Sequence, residues 1–91
     1  MTAEAAQVRP DVIYRRLVDG GMVYDSRTRR VHRLNQVAAL IWEACEAGLS
    51  ARDATSRLRA EYEVSAAQAE GDVADAIEQL RREGLLVEGE R

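Results

Sequence analysis

The side chains of this chain that could perform catalysis are few and widely separated. The only histidine is His32 and the only cysteine is Cys45, so a nucleophilic site would need them side by side, or His32 beside a serine and an aspartate. His32 lies in an apolar, strand-forming stretch, which favours a packed and hydrogen-bonded histidine. Cys45 lies in a strongly apolar helical pattern, which is typical of a small buried hydrophobe. A single cysteine also excludes an internal disulfide and a multi-cysteine metal site.

Paired carboxylates are the other candidates for chemistry. Asp72, Asp75 and Glu78 follow one another at one-turn spacing and could act as acid and base, but on a helix flank such acids are more typical of a solvated face. Gly20 and Gly21 lack the helix start and the lysine that a phosphate-binding loop needs. We therefore expect no enzyme activity and no cofactor or metal.

Charge divides the chain into a basic first part and an acidic remainder. Residues 1–34 hold seven arginines and four acids, a net charge of +3, while residues 35–91 hold six arginines and twelve acids, a net charge of −6. All the basic residues are arginine, whose planar guanidinium suits bidentate contacts with carboxylates. An acidic ligand would therefore meet the first third of the chain most favourably.

The beginning of the chain resembles neither a secretory signal nor a membrane anchor. Residues 1–10 lack a basic start followed by an apolar run, and the longest apolar run, residues 37–42, is far short of the ~20 residues that a membrane span needs. We expect a cytoplasmic protein with no membrane contact. Residues 1–10 are predicted to be a flexible tail, and residues 11–88 a single domain.

Strand patterns come first along the domain. Residues 12–18, 22–24 and 29–34 are rich in strand formers, and turn signals separate them at residues 19–21 and 25–28. The spacing predicts a three-stranded antiparallel meander. In its third strand, His32 and Leu34 share one face, and Val31 and Arg33 share the other.

Helix patterns follow the strands. Asn35, Ser50 and Ser65 are predicted N-caps for helices over residues 36–47, 51–62 and 66–83. Gly48 and Gly84 stand where the first and third helices should end. The predicted fold class is thus α+β, with a three-stranded antiparallel sheet followed by a three-helix bundle. The third helix carries an apolar stripe of Ala69, Val73, Ala76, Ile77 and Leu80.

The order of these elements, together with local sequence, resembles the PqqD family, small recognition domains for ribosomally made and post-translationally modified peptides. The most specific part is the junction Leu-Asn, any, any, Ala at residues 34–38, and the similarity extends over about residues 11–88. Family members dedicated to pyrroloquinoline quinone (PQQ) synthesis usually have a longer N-terminal segment that is rich in proline before the first strand. Here that segment holds only Pro10, so the resemblance favours the broad family and not that one pathway. Its further matching positions are Val23-Tyr24-Asp25, Val31-His32-Arg33, Ile41-Trp42, Gly48, Tyr62, Asp72-Val73, Leu80 and Gly84-Leu85.

The resemblance implies a winged-helix-like domain and a binding function. In this family the leader of a precursor peptide lies between the third strand and the third helix, where it adds as an extra antiparallel strand. The domain then presents it, as a peptide chaperone, to a modifying enzyme such as a radical SAM protein or a leader peptidase, as in PQQ biosynthesis. Neither nucleic acid nor a cofactor takes part.

The resemblance also indicates which residues would bind the peptide. The third strand would offer its backbone, with Arg29, Arg30 and Arg33 available to leader carboxylates, and the third helix would offer an apolar wall with a polar rim. Equally, the wall could be ordinary core and the arginines a solvated edge. The predicted peptide-binding residues are Arg29, Arg30, Val31, His32, Arg33 and Leu34 on the strand, and Asp72, Val73, Asp75, Ala76, Ile77, Gln79 and Leu80 on the helix.

Two functions of other classes remain open from the sequence. The main alternative is a DNA-binding winged helix, but the third helix carries five acids against only Arg81 and Arg82, which disfavours contact with phosphates. The second is a structural interaction domain that binds a protein partner and no leader. A free strand edge could also pair with a second copy of the chain to form a homodimer.

Overall fold

The protein is described by a computed structural model that covers residues 7–87. Its elements confirm the α+β class with a three-stranded antiparallel sheet followed by three helices. They are β1 Gln7–Val8, β2 Val12–Leu17, β3 Gly20–Asp25, β4 Arg30–Leu34, α1 Gln36–Glu46, α2 Ala51–Glu61, α3 Ala66–Arg82 and β5 Leu86–Val87.

The main sheet has the order β2-β3-β4, so β3 is the middle strand. The turn predicted at residues 19–21 is displaced, because Val18 and Asp19 form it and Gly20 and Gly21 lie within β3. Both glycines are required by close packing. A Cβ on Gly20, whose φ is +149°, would lie 2.0 Å from the Leu34 carbonyl oxygen, and one on Gly21 would lie 2.6 Å from the Tyr14 ring.

The two faces of this sheet have different surroundings. The row Tyr14, Val23 and His32 lies on the face that packs against the helices, where Val23 is fully buried. The row that includes Ile13 and Val31 lies on the other face, where both side chains are more than half exposed. The two faces predicted for the third strand are therefore present in β4.

Local capping explains where the helices begin and end. The three predicted N-caps are confirmed: the side chains of Asn35, Ser50 and Ser65 each accept a hydrogen bond from a backbone N–H in the first turn. Gly48 and Gly84 follow α1 and α3 with φ of +80° and +77°, a left-handed conformation that glycine adopts without strain.

Helix α1 lies at the centre of the core. Ile41, Trp42 and Ala44 are fully buried, and the Tyr14 ring lies 6.0 Å from the Trp42 ring, measured between centroids. Helix α3 adds its apolar stripe from one side, and Leu85 and Leu86 close the core after it. The helices therefore hold the sheet through α1, which contacts all three strands of the main sheet and both other helices.

The beginning of the described chain differs from the flexible tail expected for residues 1–10. Strand β1 pairs with β5, with Gln7 opposite Val87. Arg9 is only 7% exposed, and its guanidinium donates to both carboxylate oxygens of Asp25 and to the carbonyl oxygen of Gly84. Residues 7–9 are held by these long-range contacts, which have no local sequence signal; residues 1–6 lie outside the described part.

Candidate functional site

Strand β4 is an edge of the main sheet, since no strand among residues 7–87 pairs on its far side. The backbone N–H and C=O groups of successive residues in a strand point alternately to its two sides. Leu17 and Gly20 flank the two-residue turn between β2 and β3 and form a hydrogen-bonded pair. The backbone N–H and C=O groups of Met22 and Tyr24 therefore also point to β2. Their partners on β4 are Arg33 and Val31. The N–H and C=O groups of these two residues must then point outward, away from β3. These two residues offer a ladder to an added strand.

A cavity lies beside this free edge, between β4 and the end of α3. Its volume is about 500 Å³. The His32 side chain is mostly buried on this side and places its Nδ1 3.5 Å from a carboxylate oxygen of Glu83. The edge thus faces an open space instead of a packed helix. The residues around the cavity are Thr28, Arg30, Val31, His32, Arg82 and Glu83.

Not all of the predicted helical wall is available to a ligand. Val73 and Leu80 are only 1% and 2% exposed, because they point into the core together with Ala69. They lie beneath the wall, which corrects the prediction that they present surface to a peptide. Ala76 and Ile77 are half-buried against the same core and keep part of their surface free.

The polar rim predicted on α3 is on the surface. Asp75 and Gln79 are exposed, and Asp72 is half-buried. Gln68 donates to Asp72 at 3.5 Å, and Gln79 donates to Glu83 at 2.9 Å. Gln79 is thereby linked to the cavity through Glu83, whereas the two aspartates are not among the residues around it.

The predicted strand residues also separate into different positions. Arg30 lies at the cavity and makes no ion pair within residues 7–87. Arg33 is on the opposite face of the sheet, 3.7 Å from Asp19, and Arg29 lies in the preceding turn with φ of 62°. Leu34 is buried in the core.

Three residues around the cavity were missed by the sequence reasoning. Thr28 belongs to the turn before β4, and Arg82 and Glu83 belong to the last turn of α3 and its C-cap. Their signal in the sequence is positional, since Arg82 and Glu83 directly follow the apolar stripe. A strand start and a helix end meet there only through the tertiary fold.

The other edge of the sheet, β2, is covered on its inner face by α1. The Tyr14 hydroxyl donates to Glu43 at 2.6 Å, and Arg16 forms an ion pair with the same carboxylate. Burial and the bond to Glu43 raise the pKa of Tyr14. Burial opposes ionisation of Glu43, but hydrogen bonds from Arg16 and Tyr14 outweigh it and lower the pKa of Glu43. A second cavity of about 520 Å³ near the β2–β3 turn is bordered by this ion pair.

No catalytic arrangement accompanies either cavity within residues 7–87. This part of the chain holds no group of three or more side chains placed to bind a metal ion. Cys45 is buried, and burial raises the pKa of its thiol. None of the helices described is both long and apolar enough to cross a membrane.

Comparison with known proteins identifies similar sequences and structures. The family model of coenzyme PQQ synthesis protein D (PqqD) matches residues 20–86. A structure described as lasso peptide synthetase B1 complexed with the leader peptide is 30% identical, with a TM-score of 0.81 over 91% of this chain and 98% of that chain. TbiB1 in complex with the TbiA(beta) leader peptide is 24% identical, which shows the fold alone, with a TM-score of 0.81 over 88% and 93%.

No protein with a curated description matches the sequence. The PqqD resemblance read from the sequence is confirmed by the family match, and nothing in these comparisons supports the DNA-binding alternative.

Proposed function

This chain belongs to the PqqD family, and from that membership we propose that it is a non-catalytic domain that binds the leader of a ribosomally made precursor peptide. The observation that carries the proposal is the likeness to lasso peptide synthetase B1 bound to a leader, at 30% identity over nearly the whole of both chains. The free edge of β4 beside a cavity supports this proposal.

Lasso peptide precursors are the substrate class that this likeness favours. Both similar structures hold a leader peptide, and one of them is named as part of a lasso peptide synthetase. The PQQ pathway gives the family its description, but the sequence opening departs from the members dedicated to it. We therefore place the chain in lasso peptide biosynthesis.

Strand addition is the binding mode that the geometry supports. An extended leader segment would pair antiparallel to β4 through the outward N–H and C=O groups of Val31 and Arg33. Each such bond contributes only about 1 kcal/mol net, so backbone pairing supplies a modest affinity that is insensitive to sequence. Side chains of the leader that face α3 would contact Ala76 and Ile77, and they provide selectivity.

The domain acts by holding and presenting its ligand. A leader fixed along β4 leaves the remainder of the precursor free to reach a modifying enzyme, such as a radical SAM protein or a leader peptidase. Its own residues bind and orient the peptide, and they transfer no proton or group. Tethering the substrate in this way raises its effective concentration at the enzyme.

Fluorescence polarisation tests the proposal directly. A labelled leader, taken from the precursor peptide encoded beside this chain, is titrated with the protein, and a scrambled leader of the same composition is the control. We expect saturable binding of the leader and none of the scrambled peptide. Equal binding of both, or no binding up to high micromolar protein, would overturn the proposed function.

A further inference from the structure

We propose that the cavity end of the β4 edge recognises an acidic side chain near the C-terminal end of the bound leader segment, with Arg30 as the residue that reads it. The inference rests on the proposed leader-binding function and adds the chemical class of the ligand and its direction. It is carried by the charges around the cavity and by the direction in which the chain runs along β4.

The carboxylate already present at the cavity is occupied. Glu83 accepts a hydrogen bond from the Gln79 side chain at 2.9 Å and lies 3.5 Å from His32 Nδ1. Gln79 belongs to α3 and His32 belongs to β4, the two elements that border the cavity. Glu83 is therefore satisfied without Arg30, which borders the same cavity, is exposed, and has no ion pair among residues 7–87.

The end of α3 adds further positive charge. Glu78 lies 3.7 Å from Arg81 and 3.6 Å from Arg82, so one carboxylate is shared between two guanidinium groups. Arg82 borders the cavity and is mostly exposed. Among the residues around the cavity, two arginines, Arg30 and Arg82, stand against the single carboxylate of Glu83. A carboxylate entering the cavity would meet guanidinium donors with charge-assisted geometry.

The other arginines near β4 are not placed to do this. The Arg33 side chain lies on the opposite face of the sheet, where Asp19 is 3.7 Å away. The cavity side of β4 carries Arg30 and His32 in alternation, so Arg30 shares a face with the groups that border the space. Among the residues of β4, recognition of acid thus depends on position 30.

The N-to-C direction of β4 determines which end of the bound peptide lies near Arg30. Arg30 is the first residue of β4, so the C-terminal end of an antiparallel partner lies opposite it. The acidic residue therefore belongs to the part of the leader nearest the core peptide. The rest of the precursor leaves the domain past Arg30 and the end of α3, and this is where a modifying enzyme meets it.

Selection from a displayed library of random peptides tests this inference without a known ligand. The unaltered protein is expected to enrich peptides with Asp or Glu toward the C-terminal end of the shared pattern. Arg30→Glu is expected to replace that preference by Lys or Arg. Arg15→Glu, at an exposed arginine of β2 on the opposite edge of the sheet, is the matched control and is expected to keep the preference for acid.

Affinities measured with the selected peptides make the result quantitative. Changing the selected acid to its amide, or Arg30 to Gln, is expected to weaken binding roughly tenfold, and combining both changes is expected to weaken it no further. Arg30 is exposed, so its substitution should leave the fold intact. Circular dichroism of each variant checks this expectation.

The outcomes separate this inference from the proposed function. Peptides that bind at β4 without any preference for acid, or with acid at the N-terminal end, would overturn the inference and leave leader binding intact. An unchanged preference in Arg30→Glu would also overturn it. If the protein enriches no peptide and binds no leader, the proposed function itself fails.

Discussion

Arg9 donates hydrogen bonds from Nη1 and Nη2 to the two carboxylate oxygens of Asp25, at 2.9 and 3.0 Å, in a site where both side chains are almost fully buried. Arg9 also donates to the carbonyl oxygen of Gly84 at 3.0 Å. A single guanidinium therefore joins the segment after β1, the middle strand of the sheet and the segment after α3. Asp25 is 16 residues away in the sequence, so this link is entirely tertiary.

Removing one partner of this ion pair is expected to destabilise the protein strongly. Arg9→Ala leaves the Asp25 carboxylate buried without its cationic partner, a larger penalty than the loss of an exposed pair. We expect a large fall in the melting temperature, measured by circular dichroism. Arg16→Ala, which breaks an exposed pair with Glu43, is the control and should cause a small change. Equal shifts in the two variants would show that the Arg9 pair contributes little.

Acid is expected to destabilise the fold through the same residues. Hydrogen bonds from Arg9 hold the pKa values of Asp25 and Asp11 below their usual range, against the opposing effect of burial. The folded pKa values lie below the unfolded value of about 3.9, so this stabilisation is complete above that pH and is lost as the pH falls toward the folded values.

The melting temperature between pH 7 and pH 3 measures this effect. We expect it to fall as the pH drops below about 4. Asp25→Asn should be less stable at neutral pH and lose less on acidification. A variant whose melting temperature falls as steeply as that of the unaltered protein would assign the acid sensitivity to other carboxylates.

Proline at position 31 should prevent leader binding while leaving the sheet folded. The Val31 N–H points to the free edge, so proline removes a donor for the added strand without breaking a bond to β3. Val31→Thr keeps the N–H and the branched shape, and should bind almost normally. Fluorescence polarisation measures both, with circular dichroism to confirm folding. Unchanged affinity in folded Val31→Pro would place the leader elsewhere.

Truncating Trp42 should reduce the free energy of unfolding by about 3–5 kcal/mol, because the side chain is fully buried in the centre of the core. Its Nε1 has no hydrogen-bond partner among the described residues. Trp42→Phe should therefore cost less than the lost area suggests, since it removes a buried N–H that is unsatisfied. Urea unfolding measures both variants. A Trp42→Ala protein as stable as the original would mean that this site repacks.

The features that were predicted from the sequence depend on neighbours in the chain. Asn35, Ser50 and Ser65 cap helices through side chains that reach only three residues along, so each signal is complete within a short window. Alternation along the third strand likewise assigned His32 and Val31 to opposite faces.

The features that could not be predicted depend on contacts between distant segments. Arg9 looked like part of a tail because Asp25, its partner, stands in what looked like a turn. Gly20 and Gly21 looked like turn residues because the chain that crowds them, at Tyr14 and Leu34, comes from two other strands. Val73 and Leu80 belong to a stripe whose spacing is the same for a core face and a binding face, and only packing distinguishes the two.

The pairing of β1 with β5 has a consequence for the connectivity of the domain. Gln7 lies directly opposite Val87, so a few residues of linker would join the two ends of the described chain. New ends could then be opened at the exposed Gly48, between α1 and α2. The fold should accept circular permutation at this loop, because no strand pairing of either sheet is cut. Such a permutant would offer the β4 edge from a chain that begins and ends among the helices.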